Sequence, residues 1–143
     1  DVKVLDKDLF VVLVNKDDKL MVEKKPMHSR ELRKTLKDFL MNMNNDLEDK
    51  QYPGYTEENI SGIGRVKVTK AIVSIQNDRG TSYQKFIEIQ NEIVGAYNEV
   101  KDYYSLKYFK RNFNDLKESQ QDLIKQIIPQ KISEAEPKNI GGK

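Results

Sequence analysis

Few side chains in this sequence stand together in a way that chemistry would require. The densest group is Asp78, Arg79, Thr81 and Ser82, where an apolar segment gives way to a helical one. Backbone N–H groups and the helix dipole at such a junction favour an anion. A phosphate loop would add more glycines and a Lys-Ser/Thr pair, and a dinucleotide fingerprint would need three spaced glycines; neither pattern is present. The four residues read first as a turn and helix cap, with ligand binding as the alternative. Asp17, Asp18 and Glu23, or Glu57 and Glu58, could be proposed as an acid–base pair. No apolar flank would raise a pKa as general acid work requires, so they read as solvated turns.

The single His28 precedes a helical segment and reads as a capping or surface residue. Tyr97, Tyr103, Tyr104 and Tyr108 could stack against bases or sugars. Helical spacing instead favours packing for Tyr97, Tyr104 and Tyr108. There is no cysteine, which excludes disulfides and thiol nucleophiles, and one histidine excludes a His-pair metal site. These groups give no support to an enzyme, and no cofactor is expected.

The elements that hold these residues follow from apolar periodicity. Leu9 to Val14 is a six-residue, largely β-branched run, which predicts a strand buried on both faces. Asn15 to Asp18 is turn chemistry, and Lys19 to Lys24 reads as the second strand of a hairpin, stopped by Pro26. Ser29 is the expected N-cap of a helix over Arg30 to Asn42, with Leu32, Leu36, Phe39, Leu40 and Met43 on one stripe. Asn44 to Arg65 breaks the pattern with Pro53-Gly54, Ser61-Gly62 and Gly64. It reads as an inserted surface loop, or else as a partner-contact loop anchored by Tyr52 and Tyr55.

Strand character returns over Val66 to Gln76. After the turn at Asn77 to Gly80, Thr81 and Gln84 match a capping box, so a long helix is expected to open at Thr81. Its predicted buried face is Tyr83, Phe86, Ile87, Ile93, Val94, Tyr97, Val100 and Tyr104. Run on to Lys110, it would be roughly 45 Å long and would project beyond an ordinary sheet. A third helix, Asn114 to Ile127, is the expected cover for the overhang. Pro129 ends it, and Gln130 to Glu134 can form a last strand.

The expected order is β-β-α-loop-β-α-α-β. That is an α+β, two-layer α/β sandwich: a small mixed sheet with helices on one face. Its length of 143 residues suits one domain. The division is a linker at 1–8, a domain at 9–134 and a flexible C-terminal tail at 135–143. Lys+Arg number 25 and Asp+Glu 23, interspersed, so the net charge of +2 gives no dense basic face for nucleic acid. No window approaches the ~20 apolar residues of a membrane span.

The strand from Ala71 to Gln76, the turn Asn77-Asp78-Arg79-Gly80 and Tyr83 together resemble the ExbD/TolR family of biopolymer-transport proteins. There a strand delivers an Asp-containing turn and a Tyr opens the next helix; Asp78 and Tyr83 match those landmark positions. Pro26, Leu32 and Leu36 fit the early part, and Pro129 to Pro137 resembles the end of long-form members. The likeness spans about Leu9 to Ile140. Two departures are a longer central loop and the long helix followed by Asn114 to Ile127, where short members pass from a short helix directly to a strand.

The resemblance implies the periplasmic domain of an inner-membrane, proton-driven motor subunit in a Gram-negative bacterium. An N-terminal membrane helix carrying the proton-passing Asp would lie before Asp1, making 1–8 a juxtamembrane linker. The implied partners are an ExbB/TolQ-like channel subunit, a second copy in a homodimer, and a TonB-like protein that receives the motion for outer-membrane transport. The edge expected to accept a partner peptide, or its own copy, is Gln130, Lys131, Ile132, Ser133 and Glu134. The alternative within the family is a TolR-like subunit of the Tol system that binds peptidoglycan. Outside the family, the alternative is a small basic nucleic-acid-binding module.

Overall fold

A computed structural model describes residues 6–43 and 52–134. The expected tail at 135–143 and most of the expected linker lie outside the described residues. The strands are β1 (Leu9–Val14), β2 (Leu20–Val22), β3 (Lys25–Met27), β4 (Tyr55–Ile60), β5 (Gly64–Thr69), β6 (Ile72–Asn77) and β7 (Ile132–Glu134). The helices are α1 (Ser29–Met41), α2 (Tyr83–Phe109) and α3 (Glu118–Ile127), with a short 3₁₀ turn at Phe113–Asp115 before α3. The architecture is α+β: a five-stranded mixed sheet in the order β3-β2-β1-β6-β7, and a separate two-stranded sheet, β4-β5.

β1 runs parallel to β6 and β6 parallel to β7, while β1–β2 and β2–β3 are antiparallel. Phe10, Val12 and Val14 on β1 and Val73 and Ile75 on β6 are buried, which sets one face of the sheet against the helices. The expectation that β1 is buried on both faces is corrected. Leu9, Val11 and Leu13 point to the other face and are only half-buried. Register places Leu9 beside Ile72, Val11 beside Ser74 and then Ser133, and Leu13 beside Gln76 on one side and Met21 and Pro26 on the other.

Pro26 does not end the sheet. Glu23 and Lys24 take positive φ values of 51° and 69°, and the chain returns as β3 with Pro26 opposite Met21. Proline lacks a donor, and β3 is an edge strand where that donor is not required.

The expected loop from Asn44 to Arg65 is also corrected: its described part, from Tyr52, contains β4 and enters β5. Strand character after it is split, because β5 pairs with β4 and leaves the main sheet to β6. Gly62 and Gly64, at φ 94° and 112°, make the hairpin turn. Ile60, Val66 and Val68 join the core, and β5 rests against α3.

α2 has 27 residues, about 40 Å at the helical rise. Its buried side chains are Ile89, Ile93, Ala96, Tyr97, Val100 and Ser105. Tyr83 was expected in the core but is 78% exposed, because it opens the helix past the end of β6; Val94 is exposed as well. α1 lies beside α2, and Arg33 bridges to Glu92 at 3.0 Å and Glu99 at 3.5 Å across the seam. α3 covers the far half of α2 through Ile124 and Ile127, as its expected role required, although it starts at Glu118 rather than Asn114.

Candidate functional site

The β6–α2 junction, the densest polar group in the sequence, is consumed by structure. Asp78 is 4% exposed, and its carboxylate accepts the Gly80 N–H at 3.1 Å while its own N–H donates to Val14 at 2.8 Å. A Cβ on Gly80 would sit 2.8 Å from the Lys16 Cβ, so the turn can meet the β1–β2 loop this closely only with glycine there. Thr81 is not the cap. Its hydroxyl donates to the carbonyls of Val14 and Asn15 at 3.1 and 3.0 Å, and Ser82 caps α2 by accepting the Lys85 N–H. Asp18 then accepts from both Ser82 N–H (2.9 Å) and Ser82 hydroxyl (2.8 Å), and these bonds hold its carboxyl below the usual value. The two landmark residues are thus unlike in setting: Asp78 ties the turn together, and Tyr83 stands in solvent.

The proposed carboxylate pairs are separated by other partners. Glu23 accepts the Val11 N–H at 3.0 Å, standing in for a ladder bond after β2. Glu57 pairs with Arg65 at 2.9 Å, and Glu58 accepts the Thr56 hydroxyl. His28, rather than Ser29, is the N-cap of α1; it accepts the Arg30 N–H while Glu31 accepts the His28 N–H. Ser29 becomes the first helical residue and donates to Glu88, whose carboxyl is held low by that bond and by Lys85. Among the described residues, no three His, Cys, Asp or Glu side chains are grouped to hold a metal ion.

The two tyrosines of the former loop part company. Tyr52 is buried against Phe39, which packs on Phe10. Tyr55 is half-exposed with Lys67 over its ring at 4.7 Å. Within the α2 tyrosines, Tyr97 is fully buried and burial pushes its hydroxyl up to about 12, with the Lys131 backbone pulling slightly back. Tyr104 and Tyr108 stack at 6.4 Å, whereas Tyr103 is 46% exposed.

β7 forms an outer edge of the sheet, next to β6, with Val73 donating to Lys131 at 2.9 Å. Gln130 precedes the strand and accepts from Lys101. Ile132 is half-buried toward the helices, and Ser133 and Glu134 are exposed. On the helix side, Ile75, Ile93, Val94 and Ile132 floor a groove of about 450 Å³, bridged by Gln90 donating to Glu134 at 2.6 Å. Val94 carries the one sequence signal of this groove: an apolar residue on the expected stripe of α2 that the sheet is too narrow to cover. A second cavity of about 350 Å³ lies between α1 and β1–β3, walled by Phe10, Met27, Phe39 and Tyr52 with Glu23 and Lys25 at its polar side.

No family model matches the chain, and no curated protein matches it. No helix among the described residues is long and apolar enough to cross a membrane.

Proposed function

We propose that this chain is a non-enzymatic energy-transduction module of the ExbD type. It is the periplasmic domain of a proton-driven inner-membrane motor subunit that, with an ExbB-like channel partner, passes motion to a TonB-like protein. The observation that supports this reading is the β7 edge. The strand is short and has no neighbour on its outer side among the described residues, and it sits beside an apolar groove under α2. An extended partner segment can extend the sheet there through main-chain hydrogen bonds, with alternate side chains falling into the groove. Asp78 supports the reading in a second way, since it fixes the turn from which α2, the roof of that groove, departs.

The test is a backbone NMR titration of the chain with a synthetic extended peptide from the periplasmic region of a TonB-like protein. Shifts are expected at Ile132 to Glu134, at the facing residues of β6 and at Gln90 and Val94. Shifts confined to α1, or none at millimolar peptide, would overturn the reading.

A further inference from the structure

The groove beside β7 changes its chemistry from one end to the other, in step with the register of α2 on the strand. α2 runs antiparallel to β7: Gln90 reaches Glu134, and Lys101, further along the helix, reaches Gln130. Three levels follow on the helix side. Before the strand, the Lys101 ammonium lies 3.3 Å from the Gln130 amide oxygen and 5.4 Å from the centre of the Phe113 ring. At mid-strand, Ile132 floors the groove with Ile93 and Val94. At the strand's end, the Glu134 carboxylate accepts from Gln90 at 2.6 Å.

Both ends carry charge without a counter-ion. Burial, and then the charge of Lys125 on α3, hold the Lys101 pKa below its usual value. Among the described residues neither lysine is in an ion pair. Asp102, next to Lys101 on α2, is taken by the Phe113 N–H at 2.9 Å. The partner of Glu134 is a neutral amide, so its charge is unmatched as well. A partly desolvated charge gains more from an opposite charge than one in open water does.

Main-chain geometry sets where an added strand lies. Val73, opposite Ile132, donates to the Lys131 carbonyl, which leaves the N–H and C=O of Ile132 turned outward. An extended segment bonded there puts every second side chain on the helix side, roughly 7 Å apart. That is also the spacing of Gln130, Ile132 and Glu134.

We propose that this edge selects a segment with an acidic, an apolar and a basic residue at alternate positions. The acidic residue lies at the Lys101 and Lys125 end, the apolar one over Val94 and Ile132, and the basic one beside Glu134. The proposal rests on the peptide-binding reading above and adds its charge specificity. A strand parallel to β7 carries the three in that order from its N-terminus, and an antiparallel strand carries them in reverse.

Fluorescence anisotropy at about 20 mM salt, with three end-labelled peptides, tests it. They are Thr-Asp-Thr-Val-Thr-Lys-Thr, Thr-Lys-Thr-Val-Thr-Asp-Thr and the neutral Thr-Asn-Thr-Val-Thr-Gln-Thr. One charged order is expected to bind about tenfold more tightly than the other two peptides, and added salt to shrink that margin. Lys101→Glu is expected to abolish or invert the preference between the charged orders. Arg30→Glu, the same charge change on α1, is expected to leave it intact. Far-UV circular dichroism checks folding, and Lys125→Glu, at an exposed position of α3, makes the same test if Lys101→Glu unfolds. Equal binding of all three peptides overturns the proposal and leaves the peptide-binding reading standing. So does a preference that survives both lysine substitutions, or that Arg30→Glu abolishes. No binding of any of the three at millimolar concentration overturns both.

Discussion

Asp18 and Glu88 have surroundings that favour their charged forms: Ser82 donates twice to Asp18, and Ser29 and Lys85 donate to Glu88. Their ordinary pKa values are 3.8 and 4.5, and both are lowered in the fold. A lowered folded pKa means that the stabilisation is complete above those ordinary values. It is lost as pH falls through the folded ones. The thermal midpoint is therefore expected to be flat above about pH 5 and to decline below about pH 4. Asp18→Asn keeps an acceptor for Ser82 but removes the charge, so its acid limb should be shallower than that of the wild type. Because Asp18 is exposed, added salt should shrink the difference. An acid limb equally steep in the variant would remove Asp18 from this account. Asp18, which the sequence presents as a solvated turn residue, and Glu88 within α2 thus act as staples, Asp18 on α2 and Glu88 on α1. Their partners lie 64 and 59 residues away, which is why local pattern could not reveal them.

At the scale of elements, the start of α2 separates what local chemistry dictates from what tertiary contacts redirect. Thr81 and Gln84 satisfy a capping-box pattern, yet two carbonyls at the end of β1 claim the Thr81 hydroxyl, and the cap passes to Ser82. Ser82→Ala is expected to cost about 1 kcal/mol in urea denaturation and to speed exchange of the Lys85 amide. Thr81→Ala should loosen the β1–α2 junction without touching that amide. Faster Lys85 exchange in Thr81→Ala alone would move the cap back to Thr81.

Legibility elsewhere follows the same division. β1 was readable to the residue because its six apolar side chains leave no other period. β4 was not, because Thr56, Glu57, Glu58 and Asn59 are all exposed and only Ile60 is buried, so no alternation reaches the sequence. β3 was hidden by Pro26, which is tolerated there because β3 is an edge strand among the described residues. Of the site residues, the β7 edge was legible from the apolar Ile132 after Pro129. The groove beside it left only Val94 as a trace, since its extent depends on how far α2 overhangs the sheet.

At the scale of the whole molecule, α2 belongs to two packing units. Its first half roofs the five-stranded sheet beside α1, and its second half carries α3, which in turn holds the β4–β5 hairpin. Gly62 in the hairpin turn comes so close to α3 that a Cβ there would meet Leu123 at 3.1 Å. Among the described residues the hairpin has no main-chain bond to the main sheet's ladders, and it rests on α3. Units joined through one helix open separately when the smaller has the weaker core. In native-state hydrogen exchange, β4, β5 and α3 are expected to share one opening free energy, below that of β1, β6 and the Ile89–Val100 part of α2. Ile124 is fully buried in α3, and Ile124→Ala should remove about 2–5 kcal/mol from its surroundings. Protection in the hairpin should then fall with that in α3, while β1 and β6 lose protection only to the extent that global stability drops. An equal loss at every amide would instead make the chain a single cooperative unit, with the hairpin as firmly part of the main core as β6.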